Sequence, residues 1–401
     1  MEVGDIGLDY GALKRRKSMD YVKVLSDFIA IDTSVPPGNN YRRAMEYLAP
    51  LFEHAGFETQ LVDIPAEHAE GRTGRVNLVC HRHSANSPRL VFYGHADVVP
   101  AEGWDAFNAR VEDGKLYGRG AADMKGSLVG LLVGLEAVRN SVLKYDVSVA
   151  VTTDEEISQA SQLRYLTRFL APLEGAHVFS LDSSSGFVSI AGLGVLQMEI
   201  VVKGKSVHSG LSHLGDNAVE KSIPLLQALL GLKEEVVCRE SRIAASPDTG
   251  LARMQARLNI NKIEGGLKAN IVPDRCAVTI DRRLIPEENM ADAEKEIIDC
   301  IASVRDLDWE ISSIFRIPTV APSEDPIVDE LSSIVLEASG KTGKFGEMGS
   351  GDLSRVVVDD WRGQSFGLGV IRTECNIHGR DEFVYLEDIE ALGKVISRFL
   401  A

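Results

Sequence analysis

Leu90-Val-Phe-Tyr93 is an apolar run without a polar alternate, and it constrains the fold more than any other stretch of the chain. A strand with one wet face alternates polar and apolar residues, whereas an uninterrupted run reads as a strand covered on both faces of a sheet. Such burial needs helices above and below. Strand-like segments at 58–62, 77–81, 90–93, 147–153 and 177–181 are interspersed with helical apolar spacing at 19–31, 41–55, 127–139 and 159–170. That alternation predicts an α/β fold with a mostly parallel sheet flanked by helices. The pattern then changes: 195–203 and 269–284 alternate as antiparallel strands do, 218–232 and 290–304 read as helices, and a strand near 309–316 follows. Two strand-helix-strand halves predict an α+β layer of ferredoxin-like type. Helix 327–339, a strand near 365–370 and a helix from Leu386 resume the first pattern. The expected layout is a loosely held leader over 1–18, a main domain built from 19–192 and 317–401, and an inserted domain over 193–316.

With 401 residues, 44% of them hydrophobic, the chain is long enough for two cores. Its formal charge of −16 argues against a nucleic-acid surface, because phosphate binding needs concentrated Lys and Arg. No stretch approaches the roughly 18 apolar residues that span a bilayer, and the start carries no signal-peptide core, so the expectation is a cytoplasmic protein without a membrane partner. Cys80, Cys238, Cys276, Cys300 and Cys375 are scattered and odd in number, and read as reduced thiols.

The chemistry gathers where strands end. His95 and Asp97 follow the 90–93 run, and residues two apart in extended backbone share a side, so the Asp97 carboxylate can accept one imidazole N–H and leave the other nitrogen for a metal. Asp123 comes inside the glycine-punctuated segment Gly118-Arg-Gly-Ala-Ala-Asp-Met-Lys-Gly126, just before a helix. The strand 147–153 runs into Asp154-Glu155-Glu156, whose adjacent side chains point apart. One glutamate can then hold a metal while its neighbour faces a water molecule. The strand at 177–181 delivers Asp182, and a late loop presents His378. In open α/β sheets the carboxyl ends of the strands face one crevice, where such groups can meet.

Gly94-His-Ala-Asp-Val-Val-Pro100 together with Leu116-Tyr-Gly-Arg-Gly-Ala-Ala-Asp-Met-Lys-Gly126 resembles the signature of the M20 metallopeptidases, which include succinyl-diaminopimelate desuccinylases, acetylornithine deacetylases, glutamate carboxypeptidases and aminoacylases. The resemblance implies a zinc-exopeptidase-like fold whose inserted domain is a lid and dimerisation layer. It implies that His95 and Asp182 hold one ion, Glu156 and His378 another, and that Asp123 bridges them before a cis peptide. Imidazole and carboxylate donors without thiolate suit Zn²⁺, two per subunit, with Co²⁺ or Mn²⁺ possible. It implies Glu155 as general base, Asp97 as support for His95, and His208 as the oxyanion-stabilising histidine, in its own subunit or across a homodimer. Asn270, Arg283 and the loop Gly349-Ser350-Gly351-Asp352 fall on substrate-contacting positions.

Departures bear on specificity. Desuccinylases usually carry two arginines before the glycine that opens the lid, where this chain has Ala191-Gly-Leu-Gly194; Ser212 replaces a common proline, and Gly351 lacks a common hydroxyl. Arg119 reads as a brace for the Asp123 loop, and His81-Arg-His83 as a surface pair. The expected activity is hydrolysis of an N-acyl amino acid, deacetylase- or desuccinylase-like, by a metal-activated water. The alternatives are a carboxypeptidase or dipeptidase acting on a short peptide and, from another class, a non-catalytic small-anion-binding protein on the same scaffold.

Overall fold

A computed structural model of the chain describes residues 19–85, 87–157, 160–170, 175–341, 343–351, 353–357 and 364–401. The leader expected over 1–18 and Asp352 of the glycine loop lie outside them. The first strands are β1 (Glu58–Asp63), β2 (Val76–Arg82), β3 (Arg89–His95), β4 (Asp146–Thr152), β5 (His177–Ser180) and β6 (Val188–Gly192). Four more, β7 (Gly194–Lys203), β8 (Arg257–Gly265), β9 (Arg275–Leu284) and β10 (Trp309–Ile317), precede β11 (Lys344–Glu347) and β12 (Ser365–Gly367). Among the described residues, eight of these form one sheet in the order β1-β2-β4-β3-β5-β12-β6-β11. Its centre is parallel from β4 through β3 and β5 to β12. β6 and β11 are parallel to each other, while β1, β2 and the β6/β12 contact run antiparallel. The sheet is therefore mixed, with the parallel part where the apolar run predicted it.

The helices are α1 (Tyr21–Ile29), α2 (Tyr41–His54), α3 (Gly126–Ala137), α4 (Ala160–Leu166), α5 (Ala218–Val236), α6 (Met290–Ala302), α7 (Pro326–Ser339) and α8 (Leu386–Leu400). Strand β3 shows why both faces had to be apolar. Leu90 and Phe92 enter the core shared with α1, α2, α3, α7 and α8, while Val91 and Tyr93 pack with Leu163, Leu166 and Leu353 on the other side. Helices α3 and α8 approach closely because α3 carries glycines: a Cβ at Gly134 would fall 2.7 Å from Ile396 Cβ. Asp325 caps α7 ahead of Pro326, and Gly340 in the left-handed region closes it.

β7, α5, β8, β9, α6 and β10 follow in chain order and make a separate antiparallel sheet, β8-β9-β7-β10, with a core of Leu196, Met198, Ile200, Leu225, Leu229, Ile280 and Ile297. This is the expected strand-helix-strand twice over. The segment 269–284 is divided, however. Ile271–Val272 pairs with Val207–His208, and the long strand begins only at Arg275, beyond Pro273, which has no N–H to donate. No helix among the described residues is long and apolar enough to cross a membrane.

Candidate metal centre and hydrolytic site

The adjacent strand ends β4, β3 and β5 set the site. β3 finishes at His95, β4 leads through Asp154 into Glu155 and Glu156, and β5 leads to Asp182. Asp123 arrives from the turn before α3, through a cis peptide to Met124. His378 comes from the loop before α8. Their donor atoms fall into two groups, His95 with Glu155 and Asp182, and Asp123 with Glu156 and His378, each group within 4.8 Å. The Asp123 carboxylate spans them: Oδ1 lies 3.3 Å from His95 Nε2 and Oδ2 lies 3.1 Å from His378 Nε2. His378 Nε2 is also 3.1 Å from Glu156 Oε2. The five residues expected as ligands thus meet, and Glu155 stands among them.

Charge crowding shifts these groups. Burial pushes the Glu155 carboxyl well above the usual range; His95 opposes this, and Asp182, Glu156 and Asp97 add to it. Burial, with Asp123 next, moves Asp182 up to about 7. For Asp123 burial acts the same way, but His378 and His95 outweigh it and hold the carboxyl below the usual range. Burial would strip His95 of its proton, yet Asp123 and Asp97 keep its pKa well above the ordinary imidazole value. Hydrogen bonding to Asp123 and then Glu156 carries His378 up to about 10.

The donor set fits a metal pair. His95 Nε2 and Glu156 Oε1 are buried without a hydrogen-bond partner, an expensive arrangement unless a cation completes them. Imidazole nitrogen and carboxylate oxygen without thiolate is a borderline-to-hard set suited to zinc, cobalt or manganese. Asp97 supports the cluster somewhat differently from expectation: its backbone carbonyl lies 3.1 Å from His95 Nδ1 and its Oδ1 3.5 Å away, while Oδ2 accepts the Glu156 backbone N–H at 3.1 Å.

Three supports were not apparent from sequence patterns. Buried Asp154, at φ 64°, accepts from Tyr41 Oη at 2.7 Å and from Arg72, Arg75 and Gln162 at 2.8 Å, which fixes the turn carrying both glutamates. Buried Glu382 accepts from the backbone N–H groups of Gly120, Ala122 and Asp123 at 3.0–3.1 Å and from Arg119 at 2.6 Å. Arg119 also donates to the carbonyls of His378 and Gly379, so the brace expected for one loop ties both ligand loops together. Lys125, wholly buried, donates to the carbonyls of Phe28 and Ile31 at the end of α1.

A cavity of about 430 Å³ opens on the cluster, lined by Asp123, Glu155, Glu156, Asp182 and His378 and by Ser350 and Gly351 of the glycine loop. Ser350 Oγ donates to the Leu193 carbonyl. The missing side chain at Gly351 has a reason, since a Cβ there would sit 3.3 Å from Glu155 Oε1. The lid residues stand apart. His208, Asn270 and Arg283 are not among the described residues lining the cavity. His208 is exposed, with Nδ1 accepting from Gly210 N, and Asn270 lies beside it. Arg283 is gripped by Asp281 through two bonds of 2.7 and 3.1 Å.

Residues 91–401 match the model of peptidase family M20/M25/M40. The chain belongs to this family. Among curated relatives of this M20 protein, succinyl-diaminopimelate desuccinylase of Acidiphilium cryptum is 28% identical over 82% of the chain and 87% of its own length. That of Xanthomonas campestris is 28% identical over 93% and 96%. In fold it is similar to an M20 family metallo-carboxypeptidase from Sulfolobus solfataricus, with TM-score 0.75 and 17% identity over 95% of this chain and 98% of that one. Human carnosine dipeptidase 1 superposes with TM-score 0.69 at 17% identity over 94% of this chain and 95% of that one. The protein is a metal-dependent hydrolase acting on amide bonds.

Proposed function

We propose that this M20 hydrolase removes the acyl group from an N-acyl amino acid with two divalent ions, zinc first and cobalt or manganese as substitutes. The Asp123 carboxylate carries the metal part of this reading, because its two oxygens face His95 and His378 as a bridging ligand would. Curated relatives matched along most of their length bear the name of a desuccinylase, which supports the acyl class. His95 and Asp182 would hold one ion, Glu156 and His378 the other, and Asp123 both. Such ions supply Lewis acidity, making water easier to deprotonate and polarising the amide carbonyl. Glu155 takes the proton from water and passes it to the leaving nitrogen. Asp97 orients His95 and the Glu156 backbone. Ser350, Gly351, Asn270 and Arg283 contact the substrate, and for Arg283 this requires release from Asp281.

We take 19–192 and 317–401 as the catalytic domain and 193–316 as the lid. His208 lies outside its own subunit's cavity lining, and α5 exposes Ile223 and Leu230 beside the edge strand β8. These features support a homodimer through the lid, with His208 of the partner subunit steadying the oxyanion. Five unpaired cysteines favour a reducing, cytoplasmic setting.

Steady-state rates of the zinc-loaded protein on N-acetyl and N-succinyl amino acids and on matching dipeptides test the substrate class. Acyl amino acids are expected to exceed dipeptides in kcat/KM by about tenfold or more. A preference for dipeptides would transfer the protein to the peptidase class, and no turnover with zinc or cobalt would leave only binding. Glu155→Gln should lower kcat by about 10²–10⁴-fold. Its metal content, read by elemental analysis, should stay unchanged.

A further inference from the structure

We propose that Glu347 is a specificity-determining carboxylate that selects substrates carrying a positive charge apart from the amide that is cut. The inference rests on the cavity being the substrate site and narrows the substrate within it. Glu347 is the last residue of β11 and stands in register with Gly192 at the end of β6, which also lines the cavity. It lines the cavity with Ser183, Ser184 and Ser189. Oε1 accepts from the buried Ser183 hydroxyl at 2.9 Å and, more weakly, from the Ser184 backbone N–H at 3.5 Å.

Glu347 belongs to neither group of metal donors. No Lys or Arg among the described residues lines the cavity, and none of them pairs with Glu347. Hydroxyl and amide donors orient a carboxylate but do not neutralise it, and a half-buried charge without a counter-charge is costly. A ligand ammonium or guanidinium would supply that counter-charge through a charge-assisted hydrogen bond. An acyl group or side chain ending in a carboxylate would instead meet repulsion there.

The experiment uses the zinc-loaded full chain and two matched pairs: Nα-acetyl-lysine against Nα-acetyl-norleucine, which lacks only the terminal ammonium, and β-alanyl-glycine against its isostere butyryl-glycine. These place the extra charge on the amino acid or on the acyl group. In at least one pair the charged member should be favoured in kcat/KM by about tenfold or more, the scale of one charge-assisted bond. In Glu347→Gln, which keeps an acceptor for Ser183, the charged member should fall to the level of its neutral partner. Calorimetric binding of lysine against norleucine, and of β-alanine against butyrate, makes the same comparison without turnover. A failed deacylase reading therefore shows as absent acyl hydrolysis with the charge preference intact. Equal handling of charged and neutral members in both rate and binding, or a preference that survives in Glu347→Gln, would overturn the assignment.

Discussion

Asp154 decides which way each of the two following glutamates points. It sits in the left-handed region, where a non-glycine residue needs compensation, and four side-chain donors supply it. The sequence made Glu155 and Glu156 legible as a divided pair because their separation is one residue, and His95 and Asp97 because theirs is two. Glu382 and Asp154 could not be read that way, since their partners lie far off in the chain and no spacing rule joins them, and of the two loops that Arg119 ties only its own was readable. Glu382 nevertheless shapes the loop that presents Asp123. Glu382→Gln should weaken metal affinity by about 10–100-fold, as loss of a ligand's supporting partner does, measured by competition with a chelator. The titration of the ligands adds a second expectation. In the ion-free cluster His378 stays protonated until about pH 10 and Asp182 until about pH 7, and a bound ion needs both bare. Metal uptake must therefore release protons, and apparent affinity must rise with pH. The number released should drop as pH climbs through 7, where Asp182 has already lost its own. Calorimetry in buffers of differing ionisation enthalpy counts them, and a count independent of pH between 6 and 8 would contradict the assignment.

At the level of elements, legibility followed burial. β3 and β4 are buried from their second residue on because both faces are covered, and their limits were readable to within a residue or two. β8 was missed, and its burial explains this: its alternation lasts only from Arg257 to Asn261 before a register shift, and as an edge strand it leaves Asn261 to Gly265 exposed. β6 and β11 escaped notice because each is short and lies beside glycine. Lys125 was read as part of a motif, whereas in the fold it joins two elements, since it sits at the start of α3 and satisfies carbonyls at the end of α1. Lys125→Met should cost about 1–3 kcal/mol by leaving those acceptors unmet. The cost should depend on pH in a set direction. Burial lowers the folded pKa of Lys125 to about 7, against its usual 10.5. Between these values the unfolded chain binds the extra proton, so the group's contribution to stability rises with pH across that window and is flat below it. Urea denaturation of the metal-free proteins at pH 7 and 9 should show the wild-type advantage widening at the higher pH.

At the scale of the molecule, the cavity lining omits the histidine that should stabilise the oxyanion, and the lid exposes apolar surface where a second copy would dock. Ile223 is 52% exposed and Leu230 51% on α5, and Ile263 on the adjoining strand β8 is 53% exposed. That strand also offers unpaired backbone groups, which a two-fold partner can satisfy in kind. A charge in the middle of this face, Ile223→Glu, should give a monomer by sedimentation and a loss of about 10²–10³-fold in kcat, the size of one oxyanion donor. Loss of rate alone would not distinguish a damaged lid from a missing partner, but mixing would. His208→Ala and Glu155→Gln should each be nearly inactive as homodimers. If His208 serves the neighbouring cavity, a mixed dimer contains one site with both wild-type residues, the glutamate from one subunit and the histidine from the other. Random exchange makes about half of the dimers mixed, so about a quarter of all sites should recover. Were His208 to act within its own subunit, every site in the mixture would lack one residue or the other, and the mixture would be as inactive as its parents.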